Sequence, residues 1–584
     1  MLINTDSKKA KKHRIKSEYA AIAIGVLLVV AIPLLISSNY IINLFILAAA
    51  MAIAALGLTI ALGYTGQLSL AQAVFYGIGA YFVGLGTTKW GMNWWVALLL
   101  GLIFAALIGL FLGITTLKVG GRYLTMVTIC VQVVFALILA NWVEVTNGAD
   151  GVSGITRPSF IVSLNTSQRF LWFALGVLLL VTVFVWKLKS SRLGRSMLAV
   201  CGNELAAEAL GVDSLRIKVT SFVMCAILGA LGGGIYASGF LYISPDSFTY
   251  TNSVEILVMV LAGGSSSAVG TVLGAILLTM IPEALRQFKD IYLVIYGFII
   301  VIITIFLPEG VWGIVTNLVQ RYIKPKPLPH AAHPLEFNTG ETEDMLVARN
   351  IGKHFGGLKA LDGVELVVRK GEFHSLIGPN GSGKTTFINV VSGVYTPTFG
   401  SAVFMGNDIS GIKQNRIAKI GLTRTFQNLR LFRDLTVWQN VMVGSQREGG
   451  TEEEVKDRAM AAVEFVGLYD LVHEKCKSLP YGHQKLVELA RTLAGKPKLL
   501  MLDEPAAGLN ESEKEELVKL LRRIHNNGLT IFLVEHDMSI ITQLSTQVTV
   551  LNFGQKIADG DVKSVMKDPV VVEAYLGKME VSFE

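Results

Sequence analysis

Residues Gly378 to Thr385 read GPNGSGKT, a full match to the pattern G-x-x-x-x-G-K-[ST]. The preceding residues, Glu372 to Ile377, alternate as a strand does. Glycines in such a turn let backbone N–H groups close around phosphate oxygens, and the helix that follows offers its positive N-terminus. Gly378, Pro379, Asn380, Gly381, Ser382 and Gly383 therefore read as a phosphate cradle. Lys384 is expected to reach the terminal phosphates of ATP and the Thr385 hydroxyl to ligate magnesium, with Thr386 beside it. Downstream, Leu499 to Glu504 read LLMLDE, a buried-strand run ending in two carboxylates. Magnesium needs oxygen ligands, and phosphoryl transfer to water needs an oriented nucleophile. Asp503 suits the metal and Glu504 suits the water.

Upstream of this soluble half the chain changes character. Of the 584 residues, 52% are hydrophobic and only 16% charged, too oily for an ordinary soluble protein. Apolar tracts near 20–36, 41–62, 68–88, 94–117, 123–143, 169–187, 219–240, 252–281 and 290–307 each approach the roughly 20 residues that cross a bilayer. The fold class expected is a polytopic α-helical membrane domain of about 8 to 10 crossings or re-entrant helices, followed by an α/β P-loop domain. The boundaries expected are a basic N-terminus at 1–18, a membrane domain at 19–323, a linker at 324–344 and an ATPase at 345–584. The linker, KPKPLPHAAHPLEFNTGETED from Lys324, is polar and proline-rich and reads as extended.

Basic residues set the sidedness, because short Lys- and Arg-rich loops stay in the cytoplasm. Lys8, Lys9, Lys11, Lys12, Arg14 and Lys16 put the N-terminus inside; no cleavage site follows the first apolar run, so it reads as a retained span. Lys118 and Arg122 fall inside, Glu144 to Gln168 outside, and the loop with Lys187, Lys189, Arg192, Arg195, Arg216 and Lys218 inside. A cytoplasmic ATPase needs an even number of crossings, which 252–281 supplies by breaking at Gly263 and Gly264. Two glycine-rich stretches, GYTGQLSLAQAVFYGIGAY from Gly63 and GALGGGIYASG from Gly229, fit either interrupted pathway helices or close helix packing. Glu255 is a carboxylate within an apolar tract, lining a pathway or sitting at the headgroups. The net charge of +7 comes without a basic-aromatic stripe, so nucleic acid is not expected as a partner. The four cysteines are far apart, indicating neither a disulfide framework nor a zinc site.

Further elements add a resemblance. Phe426-Gln427 lies between the phosphate loop and the acidic strand, LPYGHQKLVELARTL runs from Leu479, Ala507 to Asn510 looks like a D-loop, and His536 follows the apolar run Ile531 to Val534. In order and spacing these resemble ATP-binding-cassette (ABC) ATPases over essentially all of 345–584. The resemblance implies Gln427 as magnesium contact and coupling residue, His536 as the switch on the terminal phosphate, and Phe355 stacked on adenine. It implies Tyr481, Gly482, His483 and Gln484 as the signature that meets a partner cassette's nucleotide. The usual LSGGQ serine is absent, replaced within Leu479-Pro480-Tyr481-Gly482-His483, so backbone donors at Gly482 and the helix N-terminus must serve. Asn510 stands where many cassettes have aspartate.

The membrane half resembles the LivM permease of branched-chain amino acid uptake systems, in the Gly63 stretch, in SRLGRSMLAVCGNELAAEALGVD from Ser191 and in ISPDSF from Ile243. The ATPase half resembles LivG, in FGGLKAL from Phe355, PAAGLN from Pro505 and EAYLG from Glu573. The chain thus resembles a LivM-LivG fusion. That implies ATP- and Mg2+-dependent import of branched-chain or other aliphatic amino acids; related systems carrying urea, amides or another small carboxylate, and an exporter half-transporter, are the alternatives. It also implies a multi-pass protein in lipid of the cytoplasmic (inner) membrane. Its partners would be a second permease and a second ATPase, in a hetero-assembly rather than a homodimer, and an extracytoplasmic solute-binding protein. The loop around Glu204 to Gly211, apolar and small at helical spacing between basic flanks, suits docking in a groove and is expected to contact the Gln427 region.

Overall fold

The computed structural model describes residues 25–36, 38–116, 121–159, 164–285, 292–307, 309–322, 327–337 and 342–576. The basic N-terminus 1–18, Lys118, Lys324 and Gly577 lie outside them. The chain separates into two compact units, one of 1–201 with 215–327 and one of 202–214 with 328–584.

The first unit is helical. Helices Asn39–Tyr64, Trp94–Thr115, Tyr123–Asn141, Ser167–Ser190 and Ser214–Phe240 are each long and apolar enough to cross a membrane by length and composition. Their outer faces keep large apolar side chains such as Leu107, Phe111, Met126, Leu137 and Leu180 exposed, as a lipid-facing surface requires. The long tract ending at 281 is broken, as expected, into helices Tyr250–Gly263 and Ala268–Ala284. Glu255 sits half-buried in the second turn of the first of them.

The two glycine-rich stretches meet. A Cβ at Gly79 would collide with the Ala230 carbonyl, and one at Gly233 with the Tyr76 carbonyl. Helices Gln72–Thr88 and Ser214–Phe240 therefore touch backbone to backbone, which only glycine permits and which supports the packing reading. A break exists as well: the helix from Asn39 ends in a π turn, Thr59–Tyr64, and the next starts at Gln72. Backbone and side chains at the break find partners from neighbouring helices. Leu70 N–H donates to Thr128 Oγ1 (3.1 Å) and Ala73 N–H to Ser253 Oγ (2.9 Å), while Gln67 Nε2 donates to Ser221 Oγ (3.0 Å). Irregular backbone survives among apolar helices because its polar groups are paired inside the protein.

The second unit is built on a six-stranded sheet. The order is Gln555–Asp561, Gln547–Asn552, Phe373–Ile377, Thr530–Val534, Leu499–Asp503 and Leu422–Arg424, parallel except for the first strand. Three central strands, FHSLI, TIFLV and LLMLD, are buried at every position, because helices such as Tyr481–Leu493 and Glu511–Asn526 cover one face and helix Lys384–Val391 with an antiparallel sheet covers the other. A separate antiparallel sheet holds Asp344–Phe355, Leu358–Arg369, Phe399–Phe404 and Asn407–Asp408. Residues 328–337 carry no helix or strand and lie on the helix Glu452–Phe465: His330 Nδ1 is 2.6 Å from Glu464 Oε1, His333 Nδ1 is 2.8 Å from Asp457 Oδ2, and Leu335 is buried.

The segment 202–214 clusters with this second unit. Its helix Glu204–Ala209, started by Asn203 accepting from Ala206 N–H, packs on helix Gln414–Ile420. At its ends a Cβ on Gly202 would lie 3.3 Å from Phe432 Cβ, and one on Gly211 would lie 3.2 Å from Lys419. The groove is thus formed by 414–420, Phe432 and Arg447, flanking the Gln427 turn on either side along the chain.

Candidate functional site

The strand Phe373–Ile377 delivers the chain to the carboxyl edge of the sheet, where ligands of such sheets collect. There the chain turns through Gly378 (φ 150°) and Gly383 (φ 104°) into helix Lys384–Val391. Neither position tolerates a side chain: a Cβ at Gly378 would strike the Leu551 carbonyl, and one at Gly383 would sit 2.6 Å from the Ala360 carbonyl. Lys384 Nζ donates to the Gly378 and Pro379 carbonyls (2.7 and 2.9 Å), folded over the loop it is expected to serve. Burial lowers its pKa, opposed by the charges of Glu504 and Asp503. Thr385 is exposed and Thr386 half-buried in the first turn, with Asn380 and Gly381 on the open side of the loop. The buried Ser382 hydroxyl has no hydrogen-bond partner among the described residues.

Across the edge, Asp503 ends the strand Leu499–Asp503 and is 1% exposed. Its Oδ2 accepts from Arg424 Nη2 (3.2 Å), while Oδ1 has no partner among the described residues. Burial pushes its carboxyl above the usual range, with the Arg424 guanidinium pulling the other way. A buried carboxylate oxygen left open within charge reach of the phosphate-loop Lys384 fits a hard cation such as magnesium. Glu504 takes a left-handed φ of 48°, which turns its side chain away from the strand direction. Gln427 Nε2 donates to Glu504 Oε2 at 2.9 Å, and His536 Nδ1 lies 3.8 Å from the same oxygen. Two residues remote in sequence thus converge on the Glu504 carboxylate, which lies within charge reach of Lys384.

Two expected elements stand apart from this cluster. Phe355 is exposed at the hairpin end of its strand, edge-on to Tyr395 (5.3 Å between ring centres), with Lys353 Nζ 5.0 Å from its ring. Such a solvent-facing ring is available for stacking. Tyr481, Gly482, His483 and Gln484 form the first turn of helix Tyr481–Leu493. Tyr481 packs against Gly508 and Gly482 faces Glu513, so within one chain this turn sits by the D-loop. Asn510 caps the helix Glu511–Asn526, accepting from Glu513 N–H at 2.9 Å.

Residues 40–306 match the family described as branched-chain amino acid transport system, permease component. Residues 361–507 match the ABC transporter family, and 555–581 the branched-chain amino acid ATP-binding cassette transporter family. The high-affinity branched-chain amino acid transport ATP-binding protein LivG of Salmonella typhimurium is 37% identical over 253 residues, 41% of this chain and 99% of LivG. The chain belongs to the branched-chain amino acid ABC transporter family. BraF of Pseudomonas aeruginosa, a high-affinity branched-chain amino acid transport ATP-binding protein, is 37% identical over 250 residues, 40% of this chain and 98% of BraF. A nucleotide-free ATP-binding cassette of known structure is 32% identical, with a TM-score of 0.37 over 40% of this chain and 100% of the other.

The transporter therefore joins a permease and an ATP-hydrolysing cassette in one polypeptide. Its site also contains residues that motif reading misses. Glu535 is fully buried, and its two oxygens accept from Ala506 N–H (2.9 Å) and His536 N–H (3.1 Å), tying the residue before the D-loop-like stretch to His536. Burial raises its pKa. Arg424, 5% exposed, is the second such residue. The signal for Glu535 was its place directly before His536; nothing local marks Arg424.

Proposed function

We propose that this transporter imports branched-chain amino acids across the cytoplasmic membrane, driven by ATP hydrolysis at the Lys384–Glu504 edge of the cassette. The observation that carries the hydrolytic part is the 2.9 Å bond from Gln427 to Glu504, with His536 beside it. Glu504 orients and deprotonates the attacking water, and Gln427 reports the state of that carboxylate to the docking groove, since it lies in the turn between 414–420 and Phe432. His536 contacts the terminal phosphate, and the cradle of Gly378 to Thr386 binds the phosphate chain. Thr385, Gln427 and Asp503 would hold magnesium, which when bound neutralises phosphate charge. Phe355 stacks on adenine.

The cargo is supported by the relatives, which are branched-chain amino acid transport proteins by name. The resemblance to ABC ATPases sets Tyr481 to Gln484 on a partner cassette's nucleotide, so a complete ATP site needs a second cassette. The working assembly pairs this chain with a second permease and a second ATPase and accepts cargo from an extracytoplasmic binding protein. The membrane domain spans 19–323 with the N-terminus and the cassette inside, joined by the 324–344 linker. Transport by the reconstituted assembly with a panel of loaded binding proteins tests this. Uptake of leucine, isoleucine or valine is expected, and uptake only of urea or amides would overturn the cargo assignment.

A further inference from the structure

Between the ATP edge and the docking groove runs a line of charged side chains and rings within the second unit, buried except at the half-buried Arg430. Arg424 begins it. Its Nη1 donates to Asn389 Oδ1 (2.6 Å) and Ser392 Oγ (2.9 Å) on the helix behind the phosphate loop, and its Nη2 donates to Asp503 Oδ2 (3.2 Å). Its Cζ stands 4.6 Å from the centre of the Phe426 ring, and Arg430 Cζ stands 5.0 Å from that same ring. Arg430 N–H reaches Glu488 Oε1 at 3.5 Å; Glu488 is 2% exposed, on the signature helix Tyr481–Leu493. Glu488 Oε1 is 3.6 Å from Arg491 Nη2, and Arg491 Cζ is 4.8 Å from the centre of Phe432. Phe432 is the residue that Gly202 abuts.

Four charged groups removed from water cannot shift one at a time. Each buried charge in the pairs Arg424–Asp503 and Glu488–Arg491 depends on its partner, and separating a pair leaves a charge unpaired in the interior. The cost of moving any member is therefore passed to the next. We propose that Arg424 is a positioning residue for the hydrolytic reaction, and that the Glu488–Arg491 pair links its hold on Asp503 to the docked segment 202–214. The line rests on the proposed reading of Asp503 as a magnesium ligand. It adds that the signature helix, and not only the Gln427 turn, carries the connection. Movement of Gly202 on Phe432 shifts Arg491, then Glu488 and Arg430, and finally the guanidinium that orients the Asp503 carboxylate.

The test is the Mg2+ dependence of binding of the fluorescent nucleotide TNP-ATP to the full chain, which needs neither hydrolysis nor cargo. Arg424→Lys should raise the Mg2+ concentration for half-maximal binding about tenfold, the usual effect of losing a support behind a metal ligand, with Mg2+-free nucleotide binding retained. Arg491→Lys touches neither Asp503 nor the phosphate loop, yet should shift it the same way, about threefold. The double variant should shift it no further than Arg424→Lys alone. Glu488→Gln, which keeps the shape of the buried pair, serves as a second reporter and should reproduce the Arg491→Lys shift. An unchanged Mg2+ dependence in both Arg491→Lys and Glu488→Gln, or a double variant showing the product of the single shifts, would overturn the proposal. Those results would leave wild-type uptake intact, whereas failure of the import reading appears in uptake itself.

Discussion

Gln427 donates its side-chain amide to the Glu504 carboxylate at 2.9 Å, across 77 positions of sequence. With His536 Nδ1 3.8 Å from the same oxygen, Glu504 is held by two residues from two different loops. A carboxylate so oriented is suited to directing a water at a phosphate on Lys384.

Glu504→Gln keeps that hydrogen bond possible but removes the base. Mg2+-ATPase activity should fall about a hundredfold or more while TNP-ATP binding persists. Near-normal turnover would mean that another group activates the water.

Gly202 and Phe432 provide a direct probe of docking. A Cβ at 202 lies 3.3 Å from Phe432 Cβ, just short of the roughly 3.5–4.5 Å that a disulfide spans, so a small outward adjustment suffices. The pair Gly202→Cys with Phe432→Cys should cross-link on mild oxidation, seen as a reductant-sensitive mobility shift after cleavage in the linker. No cross-link in a folded protein would contradict the docking.

Phe355 should act on the nucleotide base alone. Phe355→Ala removes a stacking surface worth about 1 kcal/mol, so ATP affinity should weaken about fivefold and inorganic triphosphate affinity should not change. Equal losses for both ligands would place the residue elsewhere in the mechanism.

Asp537 supplies a pH handle next to His536. The Ser539 hydroxyl, first, and Lys514 hold its carboxyl below the usual range, as it caps the helix Met538–Leu544. A depressed carboxyl contributes stability above its ordinary pKa of about 3.9 and loses it as pH falls through the lower folded value. Thermal unfolding should therefore drop more steeply below about pH 4 in the wild type than in Asp537→Asn. Parallel pH profiles would refute the assignment.

What could be read from sequence followed from the range of the forces. Gly378 and Gly383 take the positive φ of a tight strand-to-helix turn, and Asp503 and Glu504 lie at the end of a strand, so spacing exposed them even though the Leu551 and Ala360 carbonyls also crowd the glycines. The break at Gly263 and Gly264 was legible for the same reason. The role of the glycine-rich stretches was not, because Gly79 and Gly233 are explained only by carbonyls on another helix, about 150 positions away. Arg424, Glu488 and Arg491 were missed likewise. Their partners are set by tertiary packing, and an arginine two positions before Phe426 carries no pattern of its own. Pro480 was read as a lost serine; in the fold it is the N-cap residue of the signature helix, and Gln484 returns to the Leu479 carbonyl at 2.8 Å.

The central claim, that hydrolysis at Glu504 drives inward movement of a branched-chain amino acid, is tested most directly by one uptake measurement. Proteoliposomes holding this chain with its partner permease and ATPase, ATP enclosed on the cassette side, receive leucine-loaded binding protein outside. Radiolabelled leucine should accumulate inside with the wild type and not with Glu504→Gln. Accumulation that persists in Glu504→Gln, or an absence of leucine uptake by an assembly that hydrolyses ATP, would contradict the account.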